Sequence, residues 1–335
     1  MRSIPALAAL LAALVSMALQ QLAAAEVTVR QGEIRFEPAV DENARVPEPF
    51  RLGPHTFAFR QQMLPDVYDG FARSLVTFPS PVTTPHEVNN TVHCEYFRPT
   101  TAGKRPGCIV LHILGGDFEL SRLFCNALAQ RGIAALFVKM PYYGPRRPQG
   151  VYARMISRDP QATVAGMTQA VLDIRRAAAW LRSQEEVAPD QVGVFGISLG
   201  GITGALAASA EPRLVKVCLV LAGGDVTRIA DIAWESPHLA EVRRKWTAAG
   251  GTKESLLALM QTVDPVSYAS RVKDRQILML NATHDEIIPK ACTESLWTAL
   301  GQPQIVWYPA GHISAALHML DAIARVTEFF QPARP

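Results

Sequence analysis

The stretch Gln191 to Gly200, QVGVFGISLG, constrains the fold of this chain more than any other. Val192, Val194, Phe195 and Ile197 form a short, β-rich apolar run. Gly196-Ile197-Ser198-Leu199-Gly200 then spells G-x-S-x-G, and a helix-like stretch, Gly201 to Ala210, comes directly after it. A strand, a tight turn bearing a serine and a helix are together the setting of a nucleophile elbow. Gly196 and Gly200 stand where a Cβ would collide with the neighbouring strand or helix. The turn aims the Ser198 hydroxyl off the end of a sheet. The Leu199 amide, at the helix N-terminus, can face a developing oxyanion. The same five residues also describe a glycine-rich turn with a passive serine, so the rest of the chain must supply partners.

The 335 residues are 49% hydrophobic and 19% charged, a globular composition with room for one large domain or two small ones. The net charge of +3 comes with no strong basic run, so nucleic acid is not suggested. Met1-Arg2 gives a positive start, Ile4 to Leu19 is apolar, and Ala23-Ala24-Ala25 precedes Glu26. That three-part pattern reads as a secretory signal peptide over residues 1–25, cleaved after Ala25. Its apolar core is shorter than the roughly 20 residues a membrane span prefers. The expectation is a secreted or periplasmic protein with no stable span after cleavage. Cys94, Cys108, Cys125, Cys218 and Cys292 form no C-x-x-C. Cys108 and Cys218 lie in apolar runs and read as buried small hydrophobes. Export permits a bridge, but no pairing can be read from spacing, and neither can an oligomeric state.

Residues 26–70 read as an N-terminal extension, irregular from Val27 to Pro54, where prolines stand at 38, 47, 49 and 54. Phe71 to Phe78 and Asn89 to Phe97 look like an antiparallel pair of strands with one face wet. From Gly107 the pattern changes. Cys108 to Leu114 and Ile133 to Met140 are continuous apolar runs, as buried parallel strands are. Phe118 to Arg131 and Gln161 to Ser183 are helical. After the elbow come strands at Leu214–Ala222, Gln276–Asn281 and Gln304–Tyr308. Helices are expected near Lys290–Leu300 and Ile313–Phe330. Strand and helix alternate, so the class is α/β, a mostly parallel twisted sheet with helices on both faces. Residues 71–335 are read as one domain. Residues 223–270, with Trp234 and Trp246, exceed an ordinary crossover and read as an inserted lid or as a long trimmed crossover.

In an open α/β sheet, ligands bind beyond the carboxyl ends of the strands. The residues just past each strand end are therefore the informative ones. Ser198 comes after one strand, Ala282-Thr283-His284-Asp285-Glu286-Ile287-Ile288-Pro289 after another, and Pro309-Ala310-Gly311-His312 after the last. A serine needs an adjacent base, an imidazole titrates near neutrality, and a carboxylate can orient it. His312 is the candidate base. His318 lies inside a helix, His238 in the inserted segment, and His112 reads as support for its own turn. Asp285 is the preferred acid and Asp225, after the Leu214–Ala222 strand, the alternative. Glu286 is read as pointing away.

These residues make the chain resemble the α/β-hydrolase superfamily from about Phe71 to Phe330. The resemblance rests on G-I-S-L-G at 196–200, D-E-I-I-P at 285–289, G-H at 311–312, and the chain order Ser, Asp, His. It implies a catalytic triad of Ser198, Asp285 and His312. It also implies an oxyanion hole from the amide of Leu199 and one from the turn after Cys108–Leu114. Relatives carry H-G in that turn, whereas this chain reads His112-Ile113-Leu114-Gly115-Gly116, so Leu114 is the positional match and Gly115 the alternative. Gly115 would let the backbone approach substrate. Pro141-Tyr142-Tyr143-Gly144-Pro145-Arg146-Arg147-Pro148 is similar to a P-Y-Y-G-x-R-x-P run of some secreted bacterial hydrolases and of a eukaryotic α/β-hydrolase-domain group. There Tyr143 reads as an aromatic wall. Arg146 or Arg147 is read either as a partner for a substrate carboxylate or phosphate or as an anchor for the loop.

No H-E-x-x-H, P-loop or zinc spacing is present, so neither metal nor cofactor is expected. The reading is a serine hydrolase acting on small-molecule carboxylic esters. Its rivals are a peptidase or lipid deacylase on the same fold and a non-catalytic binding protein, because fold does not fix function. An acyl-aminopeptidase or prolyl peptidase normally brings a large N-terminal domain, which residues 26–70 are too few to build.

Overall fold

The computed structural model describes residues 28–332 apart from 39, 66–67 and 117, so the signal-like segment 1–25 lies outside the described residues. Ten strands form one sheet in the order β1-β2-β3-β4-β6-β5-β7-β8-β9-β10. They are β1 (Val29–Phe36), β2 (His55–Met63), β3 (Phe71–Pro79), β4 (Thr91–Pro99), β5 (Arg105–Leu111), β6 (Ala134–Lys139), β7 (Val187–Ile197), β8 (Lys216–Val220), β9 (Gln276–Ala282) and β10 (Gln304–Tyr308). The first four strands pair antiparallel, and β4 pairs antiparallel with β6. From β6 to β10 every pairing is parallel.

Helices cover both faces, and the strand alternation decides which side chain meets which helix. Ile109, Leu111, Val192, Val194, Val217 and Leu219 point to one face. There they meet α3 (Pro160–Arg182), α4 (Leu199–Ala210) and α8 (Lys290–Ala299). Cys108, Val110, Phe195, Ile197, Cys218 and Val220 point the other way, onto α2 (Phe118–Gln130) and α9 (Met319–Phe330). Burial on both faces explains why these strands read as unbroken apolar runs. Asp159 caps α3 by accepting from the Gln161 amide, with Pro160 in the first turn. All five cysteines are free and buried. Residues 226–261, between β8 and β9, fold as α5 (Val226–Glu235), α6 (Ala240–Ala248) and α7 (Lys253–Gln261). Among the described residues no helix is long and apolar enough to cross a membrane.

The N-terminal segment departs from the irregular reading. Val29 to Phe36 pairs residue for residue with His55 to Gln62, extending the sheet by two strands. Between them lie α1 (Val40–Arg45) and a single turn at Glu48–Phe50. The apolar signal is confined to Ile34, Phe36, Phe57 and Phe59, all buried, and the prolines lie between the strands. Phe59 meets the edge of the buried Trp180 ring, centroids 6.0 Å apart. Arg175 on α3 donates to the Phe50 carbonyl at 2.6 Å and sits over the Phe36 ring. The first strands are thereby tied to the helix that covers the parallel sheet. Phe36→Ala should therefore destabilise the whole domain by about 3–5 kcal/mol. A lower urea midpoint with an unchanged slope would check this. A small or separate transition would show that β1 folds apart from the rest.

Candidate active site

The parallel strands all point their C-terminal ends the same way, so the loops after β5, β7, β9 and β10 gather at one edge. Ser198 sits between β7 and α4 with φ 53° and ψ −116°, a conformation a non-glycine residue seldom adopts. Its amide donates to the Val220 carbonyl at 2.8 Å, which pins the turn to β8. The neighbouring glycines are forced. A Cβ on Gly196 would lie 2.1 Å from the Gly200 carbonyl oxygen, and one on Gly200 would lie 2.6 Å from that of Leu111. The start of α4 therefore presses against the end of β5, and the turn at 112–116 stands across from the Leu199 end of the helix.

Ser198 Oγ lies 3.1 Å from His312 Nε2, and His312 Nδ1 lies 2.7 Å from Asp285 Oδ2. A carboxylate can only accept, so Nδ1 carries the proton and Nε2 accepts from the serine hydroxyl. Asp285 is fixed from behind, because its Oδ1 accepts from the amides of Ile287 and Ile288. Burial works against its ionisation. The His312 bond and the two amides outweigh burial and hold the carboxyl below its ordinary range. The three side chains are largely out of solvent. Such a chain of bonds can pass a proton away from a hydroxyl while a fixed negative charge steadies the imidazolium.

The other sequence candidates fall elsewhere. Asp225 accepts from Thr227 and Arg228 and pairs with the Arg228 guanidinium at 2.8 Å, so Asp285 rather than Asp225 faces His312. His318 stacks on Tyr308, and the side chain of His238 lies outside the described residues. Glu286 does not point away: its Oε2 accepts the His312 backbone N–H at 2.9 Å. Leu114 and Gly115 sit in a turn closed by the Gly116 amide on the Ile113 carbonyl. Leu114 is 52% exposed.

Arg146 requires a correction. Its sequence context makes it a candidate for binding substrate, yet it is fully buried, at 0% exposure. Its guanidinium pairs with Asp173 at 2.8 Å and donates to the carbonyls of Asn89 and Lys139. It anchors the loop and has no face toward a ligand. Tyr143 is likewise buried and not an open wall: its ring lies 4.5 Å from that of His112 and fills the space beside Gly116. Asn89 and Asp173 are not visible in sequence. Asn89 Oδ1 accepts from the Tyr142 amide, and its amide group donates to Gln169. The sequence separations exceed 50 residues, and no local pattern announces such bonds.

His112 fastens the turn across from Ser198. Its Nε2 accepts from the Met140 amide at 3.1 Å, so Nδ1 carries the proton and donates to the Ile113 carbonyl at 2.8 Å. Burial, then the fields of Lys139 and Arg146, pushes its pKa down to about 4 against the pull of Ile113.

An α/β sheet with an elbow serine and an acid and a histidine after the last strands defines an α/β hydrolase. The chain belongs to the family described as "Alpha/beta hydrolase domain containing 18", whose model matches residues 60–231. The model of the prolyl oligopeptidase family matches residues 167–333. An uncharacterized protein of Mycobacterium tuberculosis is 31% identical over 185 residues, which cover 54% of this chain and 42% of that protein. The chain thus aligns with less than half the length of that relative. A second uncharacterized protein of the same organism is 26% identical over 240 residues, covering 69% and 72%. Among solved structures, the acetyl xylan esterase of Paenibacillus sp. R4 has a TM-score of 0.64 at 22% identity, covering 81% of this chain and 88% of that one. Acetyl xylan esterase 1 of Thermoanaerobacterium sp. JW/SL YS485 has a TM-score of 0.61 at 19% identity, covering 84% and 91%. These likenesses concern the fold.

A histidine held neutral in the native state makes stability pH-dependent. The unfolded chain takes up a proton on this group below about pH 6.5, whereas the native state resists until about pH 4. His112 should therefore cost up to about 3 kcal/mol of stability as pH falls through that window. Urea unfolding of wild type and His112→Gln at pH 7, 5.5 and 4.5 checks it, with the variant showing the shallower decline. Parallel declines would assign the effect to other groups.

Proposed function

We propose that this protein is a serine hydrolase that cleaves carboxylic esters through an acyl-enzyme. The observation that carries the reading is the unbroken chain of bonds from Asp285 through His312 to Ser198, at 2.7 and 3.1 Å. Ser198 Oγ attacks the ester carbonyl carbon while its proton passes to His312 Nε2. The carbonyl oxygen becomes an oxyanion, stabilised by the Leu199 amide and by an amide of the facing turn, Leu114 or Gly115. The tetrahedral intermediate collapses, the bond to the leaving alcohol breaks, and His312 returns the proton to that alcohol. A water molecule then gives a proton to His312 and attacks the acyl carbon, releasing the acid and restoring the Ser198 hydroxyl. Asp285 keeps Nδ1 protonated and steadies the imidazolium without taking the proton itself.

The similar folds of two acetyl xylan esterases favour esters. The match of residues 167–333 to the prolyl oligopeptidase family supports a second reading, in which the acyl donor is a peptide. The two readings share every step except the leaving group. Fluorophosphonate labelling should mark the wild type, and Ser198→Ala should abolish both labelling and turnover. An unlabelled wild type would favour a binding protein that keeps the fold. Asp285→Asn should leave binding intact and lower kcat by about 10^4-fold, as the wrong tautomer does in other triads. p-Nitrophenyl esters of rising chain length, set beside aminoacyl anilides, separate the readings: faster turnover of the anilides would sink the esterase.

A further inference from the structure

Asp285 and Glu286 are consecutive acids that hold the same histidine in two different places. Asp285 takes the ring at Nδ1, and Glu286 Oε2 takes the backbone N–H at 2.9 Å. We propose that Glu286 is a positioning residue that fixes the main chain of His312, so that the imidazole stays in line between Asp285 and Ser198. The inference rests on the role given to His312 above.

Three observations converge. The first is how the two loops join. Beyond the last paired residues of β9 and β10, the Thr283 amide donates to the Tyr308 carbonyl at 2.9 Å, and the His284 amide to that of Ala310 at 3.0 Å. There the backbone ladder stops. The Glu286 carboxylate supplies the next rung, two residues further along each strand of the loop pair.

The second is Gly311. A Cβ there would lie 2.4 Å from Glu286 Oε2 and 3.2 Å from its Cδ. The residue does not adopt the left-handed conformation that favours glycine, so its backbone does not call for one. The space it leaves is the space the carboxylate occupies. The third is electrostatic: main-chain amides, that of His312 foremost, hold the Glu286 carboxyl below its ordinary range against the nearby Asp285 charge. Glu286 is exposed, so this bond adds little to folding, and its effect should appear in the placing of the imidazole.

The test uses Glu286→Ala, Glu286→Gln, Gly311→Ala and the Glu286→Ala/Gly311→Ala double variant, assayed on the best p-nitrophenyl ester found. Removing the acceptor should lower kcat about 10- to 100-fold, the scale of a misplaced catalytic group. KM and the melting temperature should stay near wild type. Gln keeps an oxygen for the amide, so it should restore most of kcat. Gly311→Ala should lower kcat while Glu286 is present and add little once it is gone, because the two changes act on one contact. Wild-type kcat in Glu286→Ala, or additive losses in the double variant, would overturn the proposal. If Glu286→Ala does not fold, the Gln and Gly311→Ala variants still decide it. Loss of turnover in Ser198→Ala together with full turnover in Glu286→Ala would end this inference and leave the proposed reaction standing.

Discussion

The contact between the start of α4 and the ends of β5 and β7 sets the geometry of everything near Ser198. Gly196 lies against the Gly200 carbonyl, and Gly200 against those of Leu111 and His112, at distances no Cβ could tolerate. Only with the helix this close can Ser198 leave β7 at φ 53° with its amide still bonded to β8. Strain of this kind costs about 1–3 kcal/mol and persists because the surroundings over-determine it. Here the surroundings are a parallel sheet buried on both faces, whose neighbouring strands cannot shift independently. The same closeness brings the 112–116 turn across from the helix N-terminus, so strand packing and placement of the turn are one event.

Around that centre lie two supports of different character. Behind the turn, a buried polar set joins distant segments: Arg146 with Asp173, Asp173 with Ser80, Ser80 with Gln169, and Gln169 with Asn89. Asn89 then reaches the Tyr142 amide, and His112 the Met140 amide. Such groups are costly to bury and stable only when matched, so they fix one loop geometry rather than adding net stability. On the far side, Asp285, whose side chain is nearly buried, and the exposed Glu286 hold His312 by two directed bonds, one to the ring and one to the backbone.

How much of this is legible in the sequence depends on the range of each interaction. The buried strands, the elbow and the order Ser198, Asp285, His312 are local patterns, and each lies where its sequence pattern places it on the chain. The preference for Asp285 over Asp225 also comes from position alone; the structure sets Asp285 against the imidazole and gives Asp225 to Arg228. The loop at 141–148 shows its two arginines in sequence, but a guanidinium without its surroundings suits a ligand as well as an anchor. Asp173, which decides between the two, lies far along the chain on α3. The strands β1 and β2 escape a sequence reading because two pairs of alternating apolar residues among prolines are a weak signal until Trp180 and Arg175 are present to receive them. Glu286 reads as turned away because adjacent residues of a strand point opposite ways, a rule that lapses once the chain has turned out of the sheet.

The sequence alone determined the class of sheet, the tight turn at Ser198 and the three residue types that gather after the strand ends. It could do so because periodicity, glycine placement and chain order are properties of neighbouring residues. Tertiary structure alone decided that Arg146 faces inward, that the first strands join the sheet, and that two consecutive acids divide one histidine between ring and backbone. Each of those depends on where distant segments meet, and a side chain's role there is set by the partner it reaches.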